Sequence, residues 1–209
     1  MISIIFPHAD NPRNNECLEL QRQMLKENTD GPYQLLFTSG TAPDDVYREW
    51  NHLAAIAKGS ILLWGNSDIT YAKNWDAPIR QHINDADWLC LRLVECGAIP
   101  VASTNIERDF GRAAATFDRA GFEVFAVEEA AKHPSIEHGK FGWYSPSAFR
   151  KEWFLDMGGF PTDPPFPHDN DRIFRERVTA RGCRFALLNS YAYHMQRGHI
   201  HVGAAPERC

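Results

Sequence analysis

The sequence predicts an α/β fold, a single domain built on a mainly parallel central sheet flanked by helices. Three observations predict it. The apolar runs Ile2–Phe6, Tyr33–Phe37 and Ser60–Trp64 are continuous rather than alternating, as in strands covered on both faces. Amphipathic stretches separate them, giving the strand, helix, strand, helix, strand order that crossover connections produce. With 209 residues, 44% hydrophobic and 23% charged, the chain is long and apolar enough for one substantial core.

Each element has its own signal. Ile2–Phe6 is β-branched and stopped by Pro7, so it reads as a central strand followed by a polar loop, His8–Asn15. Cys17, Leu18, Leu20, Gln21, Met24 and Leu25 give Asn15–Asn28 one helical face. Asp30-Gly31-Pro32 is a turn into the strand Tyr33–Phe37. Pro43-Asp44-Asp45 opens a helix to Lys58, capped by Gly59, and Ser60–Trp64 is the third strand, the three being expected as neighbouring inner strands. Ile69–Tyr71 reads as a turn. Lys73–Asn84 is helical, Trp88–Val94 a strand and Val101–Thr104 another. Arg112–Ala120 and Val127–Lys132 read as two helices. Phe141–Phe149 fits strand or loop. Lys151–Met157 is a short helix ended by Gly158-Gly159, and Phe160–Pro167 is proline-rigid. Asn170–Ala180 is a helix, Phe185–Leu188 and Tyr191–Tyr193 are strands, and a Gly/His/Ala-rich tail follows Arg197.

Net charge is −5 and the pI near 6.0, which excludes a global pull toward nucleic acid or anionic membrane. Five scattered cysteines form no C-x-x-C pair, so a reducing cytoplasm fits better than a disulfide framework or zinc knuckle. Ile2–Phe6 is too short for a signal-peptide core, and no apolar stretch approaches the roughly 20 residues of a membrane span.

Three clusters carry chemistry. Leu62-Leu63-Trp64-Gly65-Asn66-Ser67-Asp68 is a buried-strand run that ends in a carboxylate, which places an acid at the sheet rim where open α/β folds bind ligands. His168-Asp169-Asn170-Asp171 is a second acidic cluster at a helix start, and Tyr193-His194 follows another apolar run. Two acidic sites and a histidine at element edges suggest a metal-assisted transferase.

In this order the pieces resemble family-2-type glycosyltransferases with the GT-A fold. Ile2-Ser3-Ile4-Ile5-Phe6-Pro7 is similar to the family's opening strand, which ends beside the nucleotide. Trp50–Leu63 looks like its helix-glycine-strand lead, and Asn66-Ser67-Asp68 falls where the family carries Asp-x-Asp, with Asn66 replacing the first acid. Ala148-Phe149-Arg150-Lys151-Glu152-Trp153-Phe154-Leu155-Asp156-Met157-Gly158-Gly159-Phe160 is similar to the segment that precedes the family's catalytic acid. The matches span residues 2 to 194. Where the family often has an acid after the second strand, this chain has Thr38-Ser39.

The resemblance implies a metal-dependent, inverting hexosyl- or pentosyltransferase that moves a sugar from a nucleotide-diphosphate donor to a hydroxyl acceptor. Residues 1–104 would form the nucleotide-sugar half and 105–198 the acceptor half, with 199–209 a tail. Asp68 and His194 would bind Mn²⁺ or Mg²⁺, which suits hard phosphate and carboxylate oxygens. Pro7, His8, Asp10 and Asn66 would contact the nucleotide. Asp169 would be the general base, kept ionised by the helix start. Trp143 and Tyr144, with Asp171, are acceptor candidates. Each has a plainer alternative: a strand-end cap for Asp68, a buried hydrogen-bonded ring for His194, helix capping for Asp169 and Asp171, and a loop for residues 7–10. A zinc site from His194, His199 and His201 matches no standard spacing. The arginines at 172, 175, 177, 181 and 184 read as a solvated, ion-paired face or as phosphate contacts, and some viral relatives of this fold glycosylate modified DNA bases. The rivals are a sugar nucleotidyltransferase, disfavoured by a first loop without glycine, and a nucleotide-sugar-binding protein that has lost activity.

Overall fold

A computed structural model describes residues 1–40, 46–97, 104–162 and 170–195. One sheet organises them. Its main path runs β2 (Tyr33–Gly40), β1 (Ile2–Ala9), β3 (Ile61–Trp64), β8 (Ser147–Arg150), β5 (Trp88–Glu95), β9 (Phe185–His194), β4 (Ile69–Tyr71). Two short strands join at the side: β6 (Ile106–Glu107) on β5 and β7 (Ile136–His138) on β9. The pairings send β1, β2, β3, β5, β6 and β9 one way and β4, β7 and β8 the other. The sheet is thus mixed but mainly unidirectional, as expected.

Alternation along the strands makes two cores. Ile2, Ile4, Phe6, Leu63, Leu89 and Leu91 pack on one face with Leu18 and Leu25 of α1 (Pro12–Asn28) and Ile79 of α3 (Asp76–His82). Ile5, Leu62, Trp64, Trp88 and Phe149 pack on the other. Their partners there are Trp50 and Leu53 of α2 (Val46–Ile56), Phe154 of α5 (Lys151–Asp156) and Phe174 of α6 (Asn170–Ala180). A third cluster seats Phe122, Phe125 and Ala126 of α4 (Arg119–Ala130) against Tyr191 and Tyr193. An aromatic cluster fills the second core, with Trp64 4.9 Å from Trp50 and 4.4 Å from Phe160 between ring centres.

Several expectations are corrected. β1 does not stop at Pro7. It continues to Ala9, because pairing with β3 ends at Ile5↔Trp64 while β2 pairs onward, so Pro7 lies where β1 has one neighbour and a missing N–H is tolerated. β2 is a half-buried edge strand of the path, not an inner one. Ile69–Tyr71 is a strand rather than a turn, held antiparallel against β9. Where two helices were expected there is one, α4, after a 3₁₀ turn at Ala114–Thr116; Asp118 caps it by accepting from Gly121 N at 2.9 Å. α3 starts late, after Asn74 adopts φ 60°. Phe141–Phe149 divides into loop and strand at the cis Ser145–Pro146 bond. β9 is one strand, with a register shift opposite Cys90/Arg92 in place of a break. The expected strand at Val101–Thr104 and most of the loop Phe160–Pro167 lie outside the described residues.

Candidate active site

The carboxyl ends of β3, β5 and β9 meet at one corner of the sheet. β3 delivers Gly65-Asn66-Ser67-Asp68. Gly65 N donates to Ile5 O at 3.2 Å, and a Cβ there would stand 2.8 Å from the Tyr71 hydroxyl, so the position takes glycine. The fully buried Gln21 of α1 donates to Asn66 O at 2.8 Å and Ile69 O at 2.7 Å, clamping both ends of the turn. Met195 N donates to Asp68 O at 3.1 Å, which ties the turn to the end of β9. A rigid backbone thus holds Asp68, which is 1% exposed.

Strand register places the other two groups. Ile69 pairs with His194 across β4–β9, and Glu95 pairs with His194 across β5–β9. His194 Nε2 lies 3.2 Å from Asp68 Oδ2, and Nδ1 lies 3.0 Å from Glu95 Oε2. The imidazole is therefore bracketed by two buried carboxylates. Burial alone pulls its pKa down, but Asp68 and then Glu95 outweigh burial and push it up to about 10. The same field reaches Cys17, whose thiol is raised to about 11 by burial and by the charge of Asp68.

This donor set fits a hard divalent cation. A carboxylate oxygen and an imidazole nitrogen on adjacent octahedral positions, each about 2.1–2.2 Å from an ion, sit roughly 3 Å apart. The observed separation is 3.2 Å. Glu95 lies 3.0 Å from the far nitrogen of the ring, the position that an orienting carboxylate takes behind a metal-binding histidine. Among the described residues no group of three His, Cys, Asp or Glu side chains is arranged to hold a metal, and the Asp68–His194 pair is a candidate donor set of two.

The nucleotide candidates lie farther along the same edge. Pro7 and His8 are inside β1, paired with Thr38 and Ser39, and not in a loop as the sequence suggested. His8 is 5% exposed, its Nε2 2.8 Å from Asn15 Oδ1 and its ring edge-on to Phe37. Asp10, exposed beyond β1, accepts from Asn15 Nδ2 at 2.9 Å. Asn66 is half-buried beside Asp68.

The acceptor candidates flank the start of β8, which pairs with the end of β3. Trp143 is 40% exposed. Tyr144 is held, its ring 5.3 Å from Phe141, with the Arg175 guanidinium 5.5 Å above it. Burial raises its pKa against the lowering charge of Arg175, and Arg175 is the contact that brings α6 to this ring. Asp171, the second residue of α6, accepts from the adjacent Arg172 N through Oδ1 at 2.6 Å, a contact one residue on and not the N-cap bond of the capping alternative. Asp169, His168, His199 and His201 lie outside the described residues. Much of the arginine run has local partners: Arg172 pairs with Glu176, Arg175 covers Phe141, Arg177 bonds Gly159 O and Arg184 pairs with Asp87.

The sequence reading missed Glu95 and Gln21. Glu95 carried a usable signal, since it closes the apolar run Trp88–Val94 as Asp68 closes the one before it. Gln21 was read only as part of an apolar face. A cavity of about 510 Å³ lies apart from this corner, lined by Glu27, Asn28, Lys73, Arg119 and neighbours in α4, and contains none of the candidate residues.

No family model matches the chain, and no curated protein matches it. Solved structures do. The chain is similar to S. aureus TarS 1–349 in complex with UDP-GlcNAc, at TM-score 0.57 and 14% identity, over 95% of this chain and 61% of that one. It is similar to GalNAc-T7 with UDP, GalNAc and Mn²⁺, at TM-score 0.59 and 12% identity, over 93% of this chain and 43% of that one. Both are glycosyltransferases. The chain thus spans about three fifths of the first and two fifths of the second. The likeness establishes a GT-A-like fold.

Proposed function

We propose that this protein is a metal-dependent, inverting glycosyltransferase of the family-2 type. It would transfer a hexose or pentose from a nucleotide-diphosphate sugar to a hydroxyl acceptor. The observation that carries this is the Asp68–His194 pair, 3.2 Å apart at the carboxyl edge of a GT-A-like sheet, with Glu95 behind the ring. The neighbours' own ligands, UDP-GlcNAc in one and UDP, GalNAc and Mn²⁺ in the other, support a nucleotide-sugar donor and a divalent metal.

In this reading Asp68 and His194 Nε2 hold Mn²⁺ or Mg²⁺. When bound, such an ion neutralises the charge that grows on the departing diphosphate. Gln21 keeps the Asn66–Asp68 turn fixed, so Asp68 needs no rearrangement to bind. Pro7, His8, Asp10 and Asn66 line the nucleotide end, within a donor half of residues 1–104. Trp143 supplies an exposed aromatic face for a sugar ring, and Tyr144 and Asp171 border it. Asp169, one residue before α6, takes the acceptor hydroxyl proton as it attacks the anomeric carbon. Cys17, Cys90 and Cys183 are thiols outside any disulfide, which supports a reducing, cytoplasmic setting. Among the described residues no helix is long and apolar enough to cross a membrane.

The test is a thermal-shift screen of nucleoside diphosphates and their sugars, with and without Mn²⁺. At least one diphosphate should raise the melting temperature only when Mn²⁺ is present. Absence of any metal-dependent shift across uridine, guanosine, thymidine, cytidine and adenosine diphosphates overturns the reading. With the donor known, Asp169→Asn should lower transfer about 10²–10⁴-fold at little-changed donor affinity. Normal turnover in that variant removes Asp169 from the mechanism.

A further inference from the structure

Resting on the nucleotide-sugar reading, we propose that His8 Nδ1 selects the donor by its base. It would accept a hydrogen bond from a ring N–H, as on the imide of uracil or thymine or N1 of guanine.

The argument is a chain of hydrogen bonds, each fixing the next. The Asp10 carboxylate can only accept, and Asn15 faces it at 2.9 Å through Nδ2. That contact orients the Asn15 amide, so Oδ1 is the atom turned to His8 Nε2, 2.8 Å away. An amide oxygen can only accept, so Nε2 carries the ring proton. In a neutral imidazole the other nitrogen is then an acceptor. Nδ1 is that nitrogen. It is buried and has no hydrogen-bond partner among the described residues.

A buried acceptor without a donor costs free energy comparable to a lost hydrogen bond, so the position calls for a ligand that supplies one. The ring cannot swing away to find water. Phe37 stands edge-on to it at 5.7 Å, and Asn15 holds its far side. Its location points to the nucleotide. His8 is three residues beyond Ile5, whose carbonyl accepts from Gly65 N at the head of the Asp68 turn. Across from it, β2 offers Thr38 and Ser39, whose hydroxyls both donate and accept and so discriminate weakly. His8 Nδ1 only accepts. It meets the N3–H of uracil favourably and the bare N3 of cytosine or N1 of adenine with opposed lone pairs.

The test compares bases that differ at that one atom, on the full chain with Mn²⁺, by calorimetric titration near pH 8. UDP, 3-methyl-UDP and CDP form one set; GDP, 1-methyl-GDP and ADP form another. In one set the ring N–H form should bind about 10–100-fold tighter than both others, the loss expected when a buried acceptor goes unmet. His8→Phe keeps a ring beside Phe37 but no acceptor, and should bring that set to parity. Asn15→Leu leaves the nitrogen but releases the tautomer, and should erode the preference partway. Should 3-methyl-UDP match UDP and 1-methyl-GDP match GDP in the unsubstituted protein, the proposal is overturned while the glycosyltransferase reading stands. If no diphosphate binds at all, both fall. The methylated probes need no variant, so a misfolded His8→Phe protein leaves the test intact.

Discussion

The carboxyl and amino edges of this sheet are both lined with charge, and they use it differently. At the carboxyl edge two buried acids, Asp68 and Glu95, converge on one histidine. Toward the amino edge one acid, Asp87, meets two arginines: Arg150 at 2.7 Å and Arg184 at 3.0 Å. An imidazole can exchange its proton for a metal ion, whereas a guanidinium keeps its charge at any ordinary pH. The first arrangement can be rewritten by a ligand and the second cannot. The same chemical materials therefore make a candidate site at one edge and a clamp at the other.

The largest effect that sharpens this contrast is expected from Asp68→Asn. The change keeps side-chain shape but removes the carboxylate that faces His194. Mn²⁺-dependent stabilisation by the cognate diphosphate should vanish, a loss beyond the roughly 10–100-fold typical of an outer-shell partner. Calorimetric titration with Mn²⁺ reads it directly. Unchanged Mn²⁺ affinity would move the metal away from this corner.

Glu95 comes next. It touches neither donor nor metal in this reading and acts through His194, so it is a positioning residue. Glu95→Ala should weaken Mn²⁺ binding about 10–100-fold, and Glu95→Gln should recover part of the loss, since an amide oxygen still accepts from Nδ1–H. A purely structural role would lower stability in both variants and leave Mn²⁺ affinity of the folded fraction alone.

At the amino edge the expected effect is on stability. Burial raises the Asp87 pKa, but hydrogen bonds from Arg184 and then Arg150 prevail and hold it at about 2, below the usual 3.8. A carboxyl with a depressed folded pKa stabilises fully above its unfolded value and loses that contribution as pH falls toward 2. The gap corresponds to about 2 kcal/mol. Asp87→Asn should cost about that much at pH 7 by urea unfolding, and the difference from the parent should close as pH drops from 4 to 2. Donor binding should not change. A pH-independent difference would show that Asp87 works through shape rather than charge.

How far the sequence showed this contrast depends on the reach of each signal. Continuous apolar runs marked β1, β3 and β5, because burial on both faces leaves a local imprint. The acids that end such runs marked Asp68 in advance and would have marked Glu95. β4 was invisible: three residues, Ile69–Tyr71, become a strand only because β9 lies beside them. α4 runs through residues that the sequence divided between two helices, and Asp118 caps its start by accepting from Gly121 N. That His194 would lie between Asp68 and Glu95 follows from two strand registers, and registers join residues far apart in sequence. No local pattern encodes them. The resemblance paired Asp68 with His194 through family order, and strand pairing supplies the physical reason.

The smallest effect is expected at the cluster of His82, Asp85 and Ser135. His82 Nδ1 lies 2.7 Å from Asp85 Oδ2, and His82 Nε2 lies 3.1 Å from Ser135 Oγ. Those are the contacts of an activated serine nucleophile. The setting differs from the Asp68 corner. The Asp85 side chain is 48% exposed, so water shares its charge, and Ser135 is itself on the surface. Ser135 also accepts from Asn189 N through its carbonyl at 3.0 Å, and His82 is the last residue of α3. The three residues therefore tie the end of α3 to the entry of β7. Ser135→Ala removes one partly exposed hydrogen bond and should cost no more than about 1 kcal/mol, with nucleotide binding and transfer unchanged. Hydrolysis of an activated ester such as p-nitrophenyl acetate should proceed at the same slow rate in parent and variant. An ester-hydrolysis burst in the parent that Ser135→Ala abolishes would make this edge a second active centre and end the division between site and clamp.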